Sequence, residues 1–127
     1  MVRNGDGRLF MEPNPDQARA FFAKKSRALS DKRSTARQVV ADYIHDGCYL
    51  AVGGFGANRI PTVVLHEILR AGRRHLGFLG HTSTHDFDIL CAGRCLDRVD
   101  AAYIVGLEAR GLSANARRYM ESGEVEV

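Results

Sequence analysis

Apolar positions along this chain alternate between two kinds of spacing. Val39, Val40, Tyr43 and Ile44 recur at helical intervals, and Thr35-Ala36-Arg37-Gln38 before them fits a capping box. Gly47, a frequent residue just past a helix end, closes that segment. Cys48 to Val52 is an unbroken apolar run, the pattern of a strand buried on both faces. Val64, Leu65, Ile68 and Leu69 return to helical spacing in a helix predicted from Pro61 to Ala71, with Pro61 at its first position and Gly72 behind it. His75 to Leu79 is a second short strand, Gly80 to Asp86 a polar loop, and Phe87 to Ala92 a helix ended by Gly93. Val99 to Val105 is a third strand, Ser113 to Glu121 a helix, and Glu124 to Val127 the start of a fourth strand. A weaker helix is expected from Pro15 to Lys25 or Leu29, with Ala18, Phe21, Phe22 and Ala28 as a partial stripe.

Helix and strand thus alternate with short connections. This predicts an α/β fold: an open parallel sheet with right-handed crossovers and helices on both faces, a Rossmann-like three-layer arrangement. The pattern breaks off as the fourth strand begins, so the expectation is the front part of a domain, or a chain whose sheet edge a partner covers. Residues 1–33 read as a basic, partly helical extension and 34–127 as the α/β domain.

Charge sharpens that division. Of 18 Lys and Arg in 127 residues, nine fall in residues 1–37 against four acidic residues, and the remainder of the chain is slightly acidic. A basic arm attracts polyanions in general. No aromatic is interleaved with Lys24, Lys25, Arg27, Lys32, Arg33 and Arg37, so base stacking is unsupported and nucleic acid is not the expected partner. No apolar run is long enough to span a bilayer, and the first residues lack the apolar core of a signal peptide. With three cysteines, an odd number, the expectation is a cytoplasmic protein with reduced thiols: Cys48, Cys91 and Cys95 as small core residues.

The chemistry-bearing stretch is Gly53-Gly54-Phe55-Gly56-Ala57-Asn58-Arg59, between the first strand and the helix at Pro61. Glycines after a buried strand let backbone N–H groups approach a ligand, since no Cβ blocks them. In an open parallel sheet, ligands bind beyond the carboxyl ends of the strands. Residues His81, Thr82, Ser83 and His85, after the second strand, therefore face the same crevice as the glycine loop. Thr84 or Ser83 would cap the next helix, with Asp86 and Asp88 in its first turn. His81, His85, Asp86 and Asp88 have metal-ligand spacing only on a helix, and they read as loop, so no metal is expected. Glu108 and Arg110, and Asn115, Arg117 and Arg118, follow the third strand; a solvated loop and a polar helix face are the plainer readings of each. Arg70, Arg73 and Arg74 suit a helix C-terminus.

Taken together, Asp46-Gly47, the apolar run, Gly53-Gly54-Phe55 and Pro61 resemble the first signature of family I coenzyme A transferases. That signature runs: acidic residue or Asn, Gly, two free positions, three apolar residues, Gly-Gly-Phe, three free positions, Gly, any residue, Pro. Arg59 stands where the last glycine would be, a departure shared by the α-chain type of glutaconate CoA-transferase. Ile68 to Gly72, Leu76 to Gly80, Asp86 to Leu90 and Tyr119 to Glu126 are also similar to that type, so the resemblance covers about residues 34–127, its N-terminal part.

The resemblance implies an α-type subunit that works with a β-type partner. There, a glutamate of the partner attacks an acyl-CoA thioester, and CoA passes to a free carboxylic acid through enzyme-bound intermediates. No stretch here matches the glutamate motif, so no nucleophile is assigned and this chain alone is expected to be inactive. Its expected part is an oxyanion and substrate loop at Gly53, Gly54, Phe55, Gly56 and Asn58, with Arg59, His81, Thr82, Ser83 and His85 toward substrate or CoA. No tightly bound cofactor is implied, CoA thioester being the substrate. Relatives that open rings in CoA thioesters are an alternative, as is a non-catalytic assembly module.

Overall fold

The computed structural model describes residues 15–106 and 113–127. Contacts divide the chain into two units, Met1–Lys32 and Arg33–Val127. The first carries helix α1 (Pro15–Ala23), shorter than its apolar stripe suggests. Phe21 and Phe22 stack edge to face at 5.3 Å but remain 68% and 56% exposed, so neither ring is buried.

The second unit starts at α2 (Ala36–Tyr43), whose N-cap is Thr35 as its sequence predicts. The Thr35 hydroxyl accepts the Gln38 N–H at 3.1 Å. The reciprocal half of the capping box is missing, because the Gln38 side chain donates to Asp42 at 2.7 Å instead. Val40 and Ile44 are buried, whereas Tyr43 is 75% exposed and lies off the core face. Gly47, in the left-handed region at φ +83°, turns the chain into β1 (Tyr49–Ala51) rather than capping α2, which has already ended at Tyr43.

β1, β2 (Leu76–Ser83) and β3 (Leu96–Ile104) form a parallel sheet in that order. Ladder bonds extend β1 at both ends, since Gly77 N–H donates to Cys48 O and Val52 N–H to Leu79 O, each at 2.9 Å. Glu126 pairs with Arg98 in parallel, beginning the expected fourth strand beside β3. The helices between are α3 (Thr62–Arg70), α4 (His85–Ala92) and α5 (Ala114–Glu121). Pro61 is the cap of α3 and not its first residue, its carbonyl accepting the N–H groups of Val64 and Leu65.

One boundary differs from expectation in kind. Gly80–Asp86 is not a loop: β2 runs through His81 and Thr82 to Ser83, and α4 begins at His85. Thr82 pairs with Tyr103 and Ser83 with Ile104, and such cross-strand pairing overrides local polarity.

The core joins Val40, Leu65, Ile68, Phe87, Leu90, Cys91, Ala116 and Tyr119 from α2–α5 to Leu76, Phe78, Leu96 and Val99 of the sheet. Phe78 and Phe87 are fully buried with ring centroids 5.4 Å apart, each side chain contributing about 1.5–3 kcal/mol by burial. Gly80 permits this packing, since a Cβ there would lie 2.1 Å from Ser83 Oγ and 2.7 Å from the Phe78 ring. All four helices thus share one core on one face of the sheet. The alternation predicts helices on both faces; among the described residues the other face carries Tyr49, Leu79 and His81, all exposed.

On that exposed face Tyr49 lies over Gly77, where a Cβ would fall 2.2 Å from its ring. Its hydroxyl donates to Asp100 at 2.5 Å, and Arg98 grips the same carboxylate at 2.8 and 3.2 Å. These bonds, the Tyr49 hydroxyl first, hold the Asp100 pKa below its ordinary value of 3.8. At the amino end of the strands, Arg74 donates to Gly93 O at 2.8 Å and so serves the C-terminus of α4, not that of α3, the helix it follows in the sequence.

Candidate functional site

The loop between β1 and α3 is a folded turn. Phe55 N–H donates to Asn58 O at 3.0 Å and Asn58 N–H to Phe55 O at 2.9 Å, closing a tight hairpin over Gly56 and Ala57. Gly54 sits at φ +131°, where a Cβ would meet Ile60 Cγ1 at 3.0 Å and the carbonyls of Asn58 and Arg59 at 3.1 and 3.2 Å. Only glycine takes that backbone without strain. Two of the N–H groups are therefore consumed inside the loop. Those of Gly53, Gly54, Gly56 and Ala57 have no acceptor among the described residues, which leaves four backbone donors for a ligand.

Arg59 is exposed, unpaired among the described residues, and left-handed at φ +58°. This is the position where the transferase signature has glycine. The backbone explains the signature: glycine adopts this region freely, whereas an L-residue there costs about 1–2 kcal/mol.

The second strand's end meets this loop. Val52 bonds Leu79, so the chain after β1 lies at the level of Gly80 and His81, at the carboxyl rim. Thr84, 3% exposed, donates its hydroxyl to Gly56 O at 2.9 Å. Half-buried His85 lies between the two segments, its Nδ1 3.3 Å from Thr84 Oγ1 and its Nε2 3.4 Å from Thr62 Oγ1 at the start of α3. Gly53, Gly54, Phe55, Gly56, Asn58, Arg59 and His85 are thus gathered at one rim. Phe55 is 62% exposed there.

The other candidates separate. His81 is on β2, exposed, with Nδ1 2.8 Å from Thr82 Oγ1. It lines a cavity of about 700 Å³ with Leu79, Asp100, Ala102 and Val127 on the sheet. Ser83 is 1% exposed and its Oγ lies against Gly80, turned into the core and away from the rim. Thr84 does not cap α4 with its side chain. Asp86 reaches back instead, accepting the Thr84 N–H at 2.6 Å. Asp88 accepts the N–H groups of Asn115 and Ala116, both at 3.0 Å, and so caps α5 from a neighbouring helix. Among the described residues no group of three or more His, Cys, Asp or Glu side chains is placed to hold a metal ion.

Arg117 is engaged with Glu121 at 2.7 Å and Asn115 with Asp88, the bonding of a structural helix face. Glu108 and Arg110 lie outside the described residues. All three thiols are free. Burial, then Asp88 and Cys95, pushes the Cys91 thiol up to about 12, and burial likewise raises Cys95, so neither is a nucleophile at neutral pH. The anchoring of Gly56 by Thr84 and the capping of α5 by Asp88 were not legible in the sequence, because each bond joins residues 27 or 28 apart with no local pattern. No helix among the described residues is long and apolar enough to cross a membrane.

Known proteins share this fold. The family model described as Coenzyme A transferase matches residues 33–127. An uncharacterized protein of Archaeoglobus fulgidus is 44% identical over 128 residues, spanning 100% of this chain and 29% of that protein. The A chain of glutaconate CoA-transferase from Acidaminococcus fermentans is 30% identical over 94 residues, 74% of this chain and 29% of that one. The crystal structure of glutaconate coenzyme A-transferase from the same organism superposes with a TM-score of 0.69 at 29% identity, over 75% of this chain and 30% of that chain. The decarboxylase AibA/AibB, solved as a cysteine-to-serine variant, gives 0.67 at 32% identity, over 73% and 36%. The chain spans about a third of the length of these relatives. With its signature loop built as described and most of its length matched, the chain belongs to the coenzyme A transferase family.

Proposed function

We propose that this chain supplies the α-type part of an enzyme acting on acyl-CoA thioesters, in which a β-type partner carries the nucleophilic glutamate. In the transferase reading, that glutamate's carboxylate oxygen bonds to the thioester carbonyl carbon. The C–S bond then breaks and CoA leaves as thiolate. The thiolate attacks the resulting anhydride at the glutamyl carbonyl and releases the acyl group as its carboxylate. A second carboxylic acid takes CoA by the reverse steps.

Each attack places negative charge on a carbonyl oxygen. The observation that carries the reading is the set of N–H groups at Gly53, Gly54, Gly56 and Ala57 with no acceptor among the described residues, in a loop fixed by its own hairpin and by Thr84. Preorganised donors of this kind need no reorganisation as the charge forms, and losing one lowers kcat by about 10²–10³. Arg59, exposed beside them, suits the carboxylate of the acid, with Asn58 and His85 orienting the acyl group. His81, Thr82 and Ser83 are the weaker members of the site, for the reasons of placement given above. Residues 1–33 are read as a basic extension and 34–127 as the working domain. Three free thiols fit a reducing cytoplasm.

A decarboxylase among the structural neighbours supports a second reading, in which the same loop stabilises an oxyanion during chemistry other than CoA transfer. Ring-opening hydrolysis belongs to this second class. The test is co-expression with candidate β-type partners, followed by assays of labelled CoA exchange, thioester hydrolysis and CO₂ release. CoA exchange that needs both chains supports the transferase reading. Hydrolysis or CO₂ release alone moves the assignment to the second. Exchange catalysed by this chain in isolation overturns the division of labour.

A further inference from the structure

The far end of α3 holds a second cluster that the transferase reading does not use. A cavity of about 480 Å³ lies between α2 and α3, lined by Arg37, Val40, Ala41, Glu67, Arg70 and Arg73. Arg70 forms an ion pair with Glu67. Arg37 and Arg73 have no acceptor for their side chains among the described residues, and Arg73 Nε is withdrawn from solvent with its hydrogen bond unmade. A buried donor is almost always satisfied, and this one belongs to a half-buried cation. We propose that this cavity binds a doubly charged oxyanion: phosphate, or the phosphate group of a small phosphomonoester.

Charge and shape both favour that class. Three guanidiniums against one carboxylate leave the lining at +2, the complement of a phosphomonoester above its second pKa of about 6. Guanidinium forks match phosphate oxygens in pairs. The C-terminal turn of α3 faces the cavity and opposes an anion, but a helix end amounts to only about half a charge. A cavity of this size exceeds a bare phosphate, leaving room for an esterified group against Val40 and Ala41. Thr62, beside the glycine loop, and Arg70 stand at opposite ends of α3, about 12 Å apart along its axis. The proposal is therefore independent of the acyl-transfer reading.

The experiment titrates inorganic phosphate, then phenyl phosphate, into the ¹⁵N-labelled chain at pH 7.5, with KCl holding ionic strength constant. The Arg73 Nε–H resonance is expected to shift saturably. Arg37→Gln changes an exposed residue without touching the core, and is expected to weaken phosphate binding about tenfold, with Arg37→Lys partly restoring it. Neutralising Lys24 and Lys25 together is expected to leave affinity unchanged. Tighter binding of phenyl phosphate supports an esterified ligand, and equal binding supports inorganic phosphate. An Arg73 resonance that ignores phosphate, an Arg37→Gln variant that binds as the parent does, or loss of binding in the Lys24/Lys25 variant overturns the proposal.

Discussion

At the scale of single residues, the glycine loop separates positions that need glycine from positions that merely have it. Gly54→Ala sets a Cβ against Ile60 and two carbonyls at φ +131°, so it is expected to destabilise the unit by about 1–3 kcal/mol in urea unfolding. Gly53→Ala meets nothing within 4 Å and has no positive φ, so it is expected to be nearly neutral in stability. Arg59 offers the converse test. Replacing it with glycine removes left-handed strain of about 1–2 kcal/mol but loosens the unfolded chain by about 0.4–1 kcal/mol. Arg59→Gly is therefore expected to leave stability equal or slightly raised. Under the proposed function it should also raise the KM for the acid, because the guanidinium that pairs with the carboxylate is gone. A variant as active as the parent would show that Arg59 occupies a signature position without serving the substrate.

At the scale of elements, α5 owes its start to a residue outside itself. Its own N-cap, Ser113, makes no side-chain capping bond, while Asp88 on α4 accepts the N–H groups of Asn115 and Ala116. Asp88→Ala is expected to cost about 0.5–2 kcal/mol, the usual range for a lost cap. Hydrogen exchange should localise the loss to the first turn of α5, and uniform loss across α2 and α3 would contradict this. The same contrast explains what could be read beforehand. Thr35 and the apolar stripe of α2, and the strand–glycine–helix passage from Cys48 to Arg70, are encoded within a few residues and formed near the places read, although Tyr43 lies off the core face, β1 is exposed on one face instead of buried on both, and Pro61 caps α3 instead of opening it. His81-Thr82-Ser83 has polar composition, and only its pairing with Tyr103 and Ile104 makes it strand. The carboxyl-rim site was legible as a loop on a strand end. Its support from Thr84 was not, since a threonine looks alike whether it caps a helix or grips a carbonyl 28 residues away.

At the scale of the whole molecule, acid sensitivity sits on the exposed face of the sheet, whereas alkaline sensitivity comes first from thiols on the covered face and is shared by Tyr49 on the exposed one. On the exposed face, Asp100 has a folded pKa below 3.8, so its contribution is present above that value and is lost as pH falls through the lower folded value. With Asp100 40% exposed, solvent screens the interaction and the acid limb should be shallow. The covered face behaves differently. Cys91 and Cys95 have ordinary values of 9.0 and are raised by burial, Cys91 to about 12. A folded pKa above the unfolded one means stability is complete below 9.0 and declines as pH rises, because the unfolded chain releases protons that the folded one keeps. Tyr119, raised first by burial, and Tyr49, raised by burial and Asp100, add to the decline above their ordinary value of 10.0. Urea unfolding is therefore expected to show stability falling from about pH 9 by up to about 1.4 kcal/mol per pH unit for each thiol, and more steeply beyond about pH 10. Cys91→Ala lowers stability at neutral pH by opening a cavity, yet it should flatten the slope between about pH 9 and 10. If parent and variant decline in parallel there, the thiol is titrating in the folded state, and the tight packing of α4 against β2 and β3 is wrong.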